Sequence, residues 1–214
     1  MDHTQTQSAK AQGKKRVNVK YMTELALLTA VLLVMAYTPL GYFYIGAMPI
    51  TLLVVPVAVG SIVLGPKAGL FLGLVFGITS ATQPTGLAML PIIPVQSLVT
   101  CIVPRLFVGL LPALVYQGLG KICKKRTITT SVACVVAPIT NTILYLSFFV
   151  IFLGGYMAKT QPQVYGFIAE NGFFKSFGIV LATVGVNAVV EALACLIIAA
   201  AICNALLHTV NKDR

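Results

Sequence analysis

Four polar side chains interrupt long apolar runs in the second half of the chain: Arg105, Asn141, Asn187 and Glu191. A guanidinium offers a planar fork of donors to a carboxylate, and carboxamides both donate and accept hydrogen bonds. Together these groups could bind a small polar or anionic molecule. Alternatively, Arg105 and Glu191 could form an ion pair that joins two helices, with the asparagines forming hydrogen bonds between helices.

Residues suited to catalysis or metal binding are scarce. Both histidines, His3 and His208, lie near the ends of the chain, and only Glu24 and Glu191 fall within or beside an apolar run. Neither a carboxylate pair nor a metal cluster is therefore available there. The chain has no Gly-x-x-x-x-Gly-Lys-Ser/Thr loop for ATP, and its cysteines form no Cys-x-x-Cys pair. We expect no enzyme, no metal and no cofactor, and any uphill work must be powered elsewhere.

The composition indicates an all-α integral membrane protein. Hydrophobic residues make up 58% of the 214 residues, charged residues only 9%, and the mean hydropathy is +0.94. Apolar runs of about 20 residues predict membrane-spanning helices. Six are predicted, at residues 22–41, 47–64, 68–82, 92–120, 129–155 and 177–207. They form one membrane domain, residues 22–208, between a basic tail at 1–21 and a short tail at 209–214.

The positive charges predict the orientation of these helices. Basic residues cluster before the first helix, between the fourth and fifth helices, and at the C-terminus, with Lys67 between the second and third. With six spans all of these lie on one side, and the other side has only Lys159 and Lys175. Because cytoplasmic loops are enriched in lysine and arginine, both termini are expected in the cytoplasm. The net charge of +10 thus reflects topology and attraction to membrane lipid, and we expect no binding to nucleic acid.

The polar side chains are expected at similar depths in the membrane. Arg105 precedes Lys121 by 16 residues, which is about 24 Å of helix. Asn141 follows Arg126 by 15 residues, and Glu191 lies 17 residues before the cytoplasmic end of the last helix. Polar groups at this depth usually face a cavity or one another and mark a substrate pathway. A shared site in the outer half of the membrane is therefore predicted.

Further polar residues extend this site toward the outside. Asn187 shares a helix face with Glu191 at the i, i+4 spacing, Tyr145 lies one turn outward of Asn141, and Gln96 lies outward of Arg105. This placement predicts a pocket that opens to the outside. The predicted substrate-binding residues are Gln96, Arg105, Asn141, Tyr145, Asn187 and Glu191.

Small residues recur at four-residue intervals in the first half of the chain. Gly69, Gly73 and Gly77 form one stripe, and Ala26 and Ala30 form another. Such stripes allow two helix backbones to approach closely. The pattern alone fits packing within the bundle as well as docking on a partner.

Three segments resemble a known transporter family. The run PLGYFYIGAMPITLLVVPVAVGSIVLGPKAGLFLGLVFGITS, followed by VPRLFVGLLPALVYQGLGK and APITNTILYLSFFVIFLGG, is similar to the substrate-binding S component of energy-coupling factor (ECF) vitamin transporters. The resemblance covers residues 22–200. It implies a six-helix protein of a prokaryotic plasma membrane that captures a vitamin near the outer face. The loop after helix 1 and helices 4 to 6 would hold the vitamin. The implied partners are a transmembrane coupling protein and two cytoplasmic ATPase subunits.

The resemblance also implies roles for single residues. Ala26 and Ala30 match the Ala-x-x-x-Ala element that packs on the coupling protein. The Pro-Arg pair ending at Arg105 and the Thr-Asn-Thr around Asn141 are most similar to pantothenate-type S components.

One departure concerns the helix-2 threonines, which relatives often follow with a histidine. This chain has Thr51 and then Val54. Pantothenate is the expected vitamin, and riboflavin, cobalamin, folate and niacin remain open. A membrane scaffold or an intramembrane enzyme is a less favoured alternative.

Overall fold

The computed structural model describes residues 19–44, 49–123, 125–160, 166, 168 and 171–212. Helices dominate this part of the chain, and a short antiparallel hairpin is inserted after the first of them. The elements are α1 (Val19–Ala36), β1 (Tyr42–Tyr44), β2 (Pro49–Thr51), α2 (Val54–Leu64), α3 (Pro66–Ala81), α4 (Pro84–Met89), α5 (Pro94–Ile122), α6 (Arg126–Phe148), α7 (Gly154–Thr160), α8 (Phe173–Ala194) and α9 (Ala200–Lys212).

Two of these helices continue through a π-helical turn. The turn Phe149–Leu153 joins α6 to α7, and the turn Cys195–Ala199 joins α8 to α9. The predicted helices at 129–155 and 177–207 lie within these two long segments. Helix α9 runs to Lys212, so helical structure reaches into the segment predicted as the C-terminal tail.

The hairpin corrects the prediction of a purely helical chain. Strands β1 and β2 pair antiparallel, with Phe43 opposite Ile50, where helices were predicted to end at residue 41 and to begin at residue 47. The segment combines Pro39 and Pro49 with aromatic and β-branched residues. Proline interrupts helices, while aromatic and β-branched side chains favour strands. The apolar composition concealed this local preference.

A tight turn separates α2 from α3, as the Leu-Gly-Pro sequence suggests. Gly65 has a φ of 95°, which other residues rarely adopt, and Pro66 begins the next helix, where its missing N–H costs nothing. Helix α2 has 11 residues and is about 16 Å long, shorter than the predicted span at 47–64. It is buried on nearly every side at the centre of the bundle.

Helices α3 and α5 are in backbone contact. A Cβ atom at Gly69 would collide with the carbonyl of Gly109, and one at Gly73 would collide with the carbonyl of Arg105. The glycine stripe of α3 therefore packs inside the bundle. Ser61 of α2 reinforces the contact, because its hydroxyl donates to the Gly109 carbonyl at 2.6 Å and accepts from the Ala113 N–H at 3.0 Å.

The outer surface of the bundle is apolar, as a membrane protein requires. Four helical segments of the described chain are long and apolar enough to cross a membrane: Val19–Ala36, Pro94–Ile122, Arg126–Thr160 and Val184–Leu207. Three shorter apolar helices, Val54–Leu64, Pro66–Ala81 and Phe173–Ala182, accompany them. Large exposed side chains such as Leu27 and Ile151 are those that lipid would cover. The prediction of a helical membrane protein is confirmed.

Candidate functional site

A cavity of about 120 Å³ lies where the hairpin, α3, α5, α6 and α8 meet. Five of the six residues predicted from the sequence line it: Arg105, Asn141, Tyr145, Asn187 and Glu191. Arg105, Asn141, Asn187 and Glu191 are each at most 7% exposed. The predicted convergence of polar side chains from three distant segments is therefore present in the structure.

Gln96 does not belong to this group. Its side chain is exposed, whereas its neighbour Ser97 is buried and lines the cavity. Gln96 precedes Arg105 by nine residues, which at about 100° per residue puts the two on opposite faces of α5. The prediction considered only the height of Gln96 along the helix, and helical phase would have excluded it.

Several lining residues were not predicted. The hairpin contributes Tyr42 and Thr51, the end of α3 and the following turn contribute Ser80 and Gln83, and α5 contributes Thr100. These side chains are neutral, and Thr51 and Thr100 each stand alone between apolar neighbours. Only tertiary packing brings them to the cavity, and no motif in the sequence distinguishes them.

Proline explains how Arg105 is oriented. Pro104 lies inside α5 and has no N–H, so it cannot make the helical hydrogen bond to the carbonyl of Thr100. The Arg105 guanidinium donates to that carbonyl instead, at 3.1 Å through Nη1. Its Nη2 donates to Ser80 Oγ at 3.1 Å. Pro104 thus leaves the Thr100 carbonyl without its usual helical donor, and Arg105 supplies the donor that replaces it.

Two aromatic rings contact the same guanidinium. Its central carbon lies 4.3 Å from the ring centroid of Tyr145 and 5.5 Å from that of Phe76. Both distances are within the range of cation–π attraction. Hydrogen bonds to neutral groups and contacts with rings therefore hold the buried cation in place.

The carboxylate of Glu191 is engaged elsewhere. Its Oε1 accepts a hydrogen bond from the backbone N–H of Thr51 at 2.7 Å, and the side chain of Asn141 lies nearby. Among the residues that the structure describes, no ion pair joins Arg105 to Glu191. The alternative in which these two residues merely join helices as an ion pair is not observed.

Three buried polar atoms at the cavity have no hydrogen-bond partner in the described part of the protein. They are the Thr100 hydroxyl oxygen, Arg105 Nε and Asn141 Oδ1. Buried polar atoms are nearly always paired in folded proteins. A cationic donor, a hydroxyl and a carbonyl acceptor in one cavity form a set that could bind a polar ligand.

The alanine stripe of α1 lies away from this cavity. Leu32 and Ala36 are the buried residues of α1, whereas Ala26 and Ala30 are exposed. Unlike the glycine stripe of α3, the alanines do not pack within the bundle. They leave a shallow surface on which another helix could lie closely.

Comparison with known proteins identifies the family. The model of the ECF transporter substrate-specific component matches residues 20–203. The chain belongs to this family. It is also 32% identical over 157 residues to the pantothenic acid transporter PanT of Lactococcus lactis subsp. cremoris strain MG1363, which covers 67% of this chain and 76% of the relative.

Family membership fixes the general role of the protein. As an ECF substrate-specific component, it is a transport protein of the plasma membrane that crosses the bilayer several times and works with other ECF transporter modules. The family consists of transporter components and the relative is a transporter, so neither is described as an enzyme. The predicted resemblance to ECF S components is therefore confirmed.

Proposed function

We propose that this chain captures pantothenate from outside the cell in the cavity around Arg105 and delivers it inward with an ATPase-driven coupling module. The observation that carries the proposal is a buried guanidinium at the cavity that pairs with no carboxylate among the described residues. In a site of low dielectric, such a charge attracts an anion more strongly than it would in water. The name of the relative, a pantothenic acid transporter, supports the same substrate.

The polar atoms around the cavity suit the chemistry of pantothenate, which has a carboxylate, an amide and two hydroxyl groups. Arg105 Nε can donate to the carboxylate in a charge-assisted hydrogen bond. Asn141 Oδ1 can accept from a hydroxyl or an amide N–H, and the Thr100 hydroxyl can do either. Asn187 and Tyr145 complete the proposed binding set.

We further propose six membrane spans with both termini in the cytoplasm. The four long apolar segments supply four spans, and α2 and α3 supply two shorter ones beside the hairpin. Lys67 then lies on the same side as Lys121 and Arg126, as the distribution of positive charge favours. The cavity consequently opens toward the outside. Residues 1–18 of the predicted basic tail fall outside the described part of the chain.

The proposed partners are a transmembrane coupling protein and two cytoplasmic ATPase subunits. Ala26 and Ala30 are the proposed contact with the coupling protein, because they are exposed and small at the i, i+4 spacing. ATP is bound by the ATPase subunits and not by this chain. The chain itself is proposed to use neither a metal nor a cofactor.

Native mass spectrometry of the purified chain tests the substrate directly. The vitamin that remains bound through purification should have the mass of pantothenate. Calorimetry on ligand-free protein should then give tight binding of pantothenate, and binding of riboflavin, folate, niacin or cobalamin should be absent or far weaker. A retained riboflavin, or tight binding of any vitamin without a carboxylate, would contradict the proposal.

A further inference from the structure

Glu191 forms a short hydrogen bond with the hairpin. The carboxylate is 5% exposed, and its Oε1 lies 2.7 Å from the backbone nitrogen of Thr51. These residues are 140 positions apart in the chain, so the contact joins β2 to α8. A hydrogen bond to a carboxyl oxygen in so dry a place is strong.

The hairpin depends on contacts outside itself. It has two strands of three residues each, and an isolated two-stranded hairpin is marginally stable at best. Tyr42 and Thr51 lie opposite one another in the pair, and the Leu52 N–H donates to the Gly41 carbonyl at 3.0 Å. The Thr51 N–H instead points away from β1 and reaches Glu191. Without that acceptor, a buried N–H would lose its partner at considerable cost.

We propose that Glu191 is a positioning residue that holds β2 at the cavity, and that it does not bind the substrate itself. The inference rests on the proposed function, because it assigns a task to a residue at the proposed binding site. Thr51 and Tyr42 both line the cavity, so the latch between Glu191 and Thr51 fixes part of the wall. A substrate leaves the cavity slowly while that wall stays closed.

Asn141 connects this latch to the ligand side. Its side chain lies near the Glu191 carboxyl group, and its Oδ1 has no hydrogen-bond partner among the described residues. One amide group can therefore donate to the latch and accept from the substrate at the same time. A bound substrate orients the amide and thereby strengthens the contact that holds the hairpin.

Hydrogen exchange of substrate-free protein tests the latch. Glu191→Met keeps the length and bulk of the side chain and removes the acceptor, while Glu191→Gln retains an acceptor oxygen. Exchange of the Thr51 amide should be roughly ten- to a hundred-fold faster in Glu191→Met, and Glu191→Gln should stay much closer to the unmodified protein. Equal exchange in all three proteins, or equal acceleration in both variants, would overturn the proposal.

A matched control lies near the base of the hairpin. The hydroxyl of exposed Tyr37 shares a hydrogen bond with Thr82 Oγ1 at 3.2 Å, and Tyr37 does not line the cavity. Tyr37→Phe should leave Thr51 exchange unchanged. The unmodified protein provides a test that needs no variant. If its Thr51 amide exchanges as fast as in an unstructured peptide, the latch does not exist.

Dissociation of pantothenate tests the consequence for binding. In Glu191→Met the dissociation rate should rise about ten-fold or more, with little change in the association rate. An unchanged dissociation rate would overturn the link between latch and retention. If the unmodified protein does not bind pantothenate, the proposed function fails. The exchange experiment still decides whether Glu191 holds the hairpin, because it uses no substrate.

Discussion

Replacing Arg105 with lysine separates the guanidinium's shape from its charge. The guanidinium makes hydrogen bonds to the Thr100 carbonyl and Ser80 Oγ, both at 3.1 Å, and lies over the ring of Tyr145. A lysine ammonium at this position keeps the positive charge, but it cannot make both bonds and also offer a third donor in the same plane. Arg105→Lys should therefore fold and still attract anions, yet bind pantothenate poorly.

The size of the effect follows from the contact that is lost. A hydrogen bond to a charged group contributes about 1.5–3 kcal/mol, and about 1.4 kcal/mol corresponds to a ten-fold change in affinity. Losing one such bond from Arg105 Nε to the carboxylate should raise the Kd of pantothenate roughly ten- to a hundred-fold. The remaining charge should keep part of the affinity, so Arg105→Met should be weaker still.

Calorimetry on detergent-purified protein measures this directly. Arg126→Lys is a matched control, because Arg126 begins α6 and donates to the Leu207 carbonyl at 3.0 Å, away from the cavity. The control should bind pantothenate like the unmodified chain. An unchanged Kd in a folded Arg105→Lys sample would refute direct recognition of the carboxylate by the guanidinium fork.

Three further substitutions test other parts of the argument. Ala30→Trp should abolish uptake in cells that contain the complete transporter but leave vitamin binding in detergent intact; equal loss of both would show that α1 does not act as a docking surface. Gly109→Leu should lower the melting temperature, since overpacking costs about 1–3 kcal/mol, whereas Gly118→Leu on the same helix should not, because no neighbouring atom lies within 4 Å of that position. Gln96→Ala should leave pantothenate affinity unchanged, and a ten-fold loss would contradict the exposed position of its side chain.

The common level of the polar residues was predictable because it depends on little more than helix rise. Arg105, Asn141 and Glu191 could be placed at one level by counting from the basic residues near the helix ends, and they do line one cavity. Their hydrogen-bond partners were not predictable, because the height of a residue along a helix does not determine the direction in which its side chain points. Rotation determines that Gln96 faces outward and that Glu191 reaches Thr51 instead of Arg105.

The hairpin and the neutral lining residues were beyond the reach of composition. The hydropathy value of a residue such as Pro49 or Ile50 is the same in a membrane helix and in a strand. Hydropathy therefore cannot distinguish the two structures. Ser80 gains its role only because α3 and α5 approach closely enough to bring its hydroxyl to the guanidinium. Such contacts depend on tertiary packing, and a single sequence carries little local trace of them.

The contact between α3 and α5 also constrains how cargo can leave. Gly73 lies against the backbone of Arg105, so the arginine is carried at the point where the two helices are closest. Backbones in direct contact have no side chains between them that could repack, and the two helices therefore turn as one rigid body. A reorientation of the whole bundle would then transport the guanidinium and Ser80 together, with the anion still held. The hairpin and α8, joined through the Glu191 side chain, lie outside that body and are free to move without breaking the contact between α3 and α5.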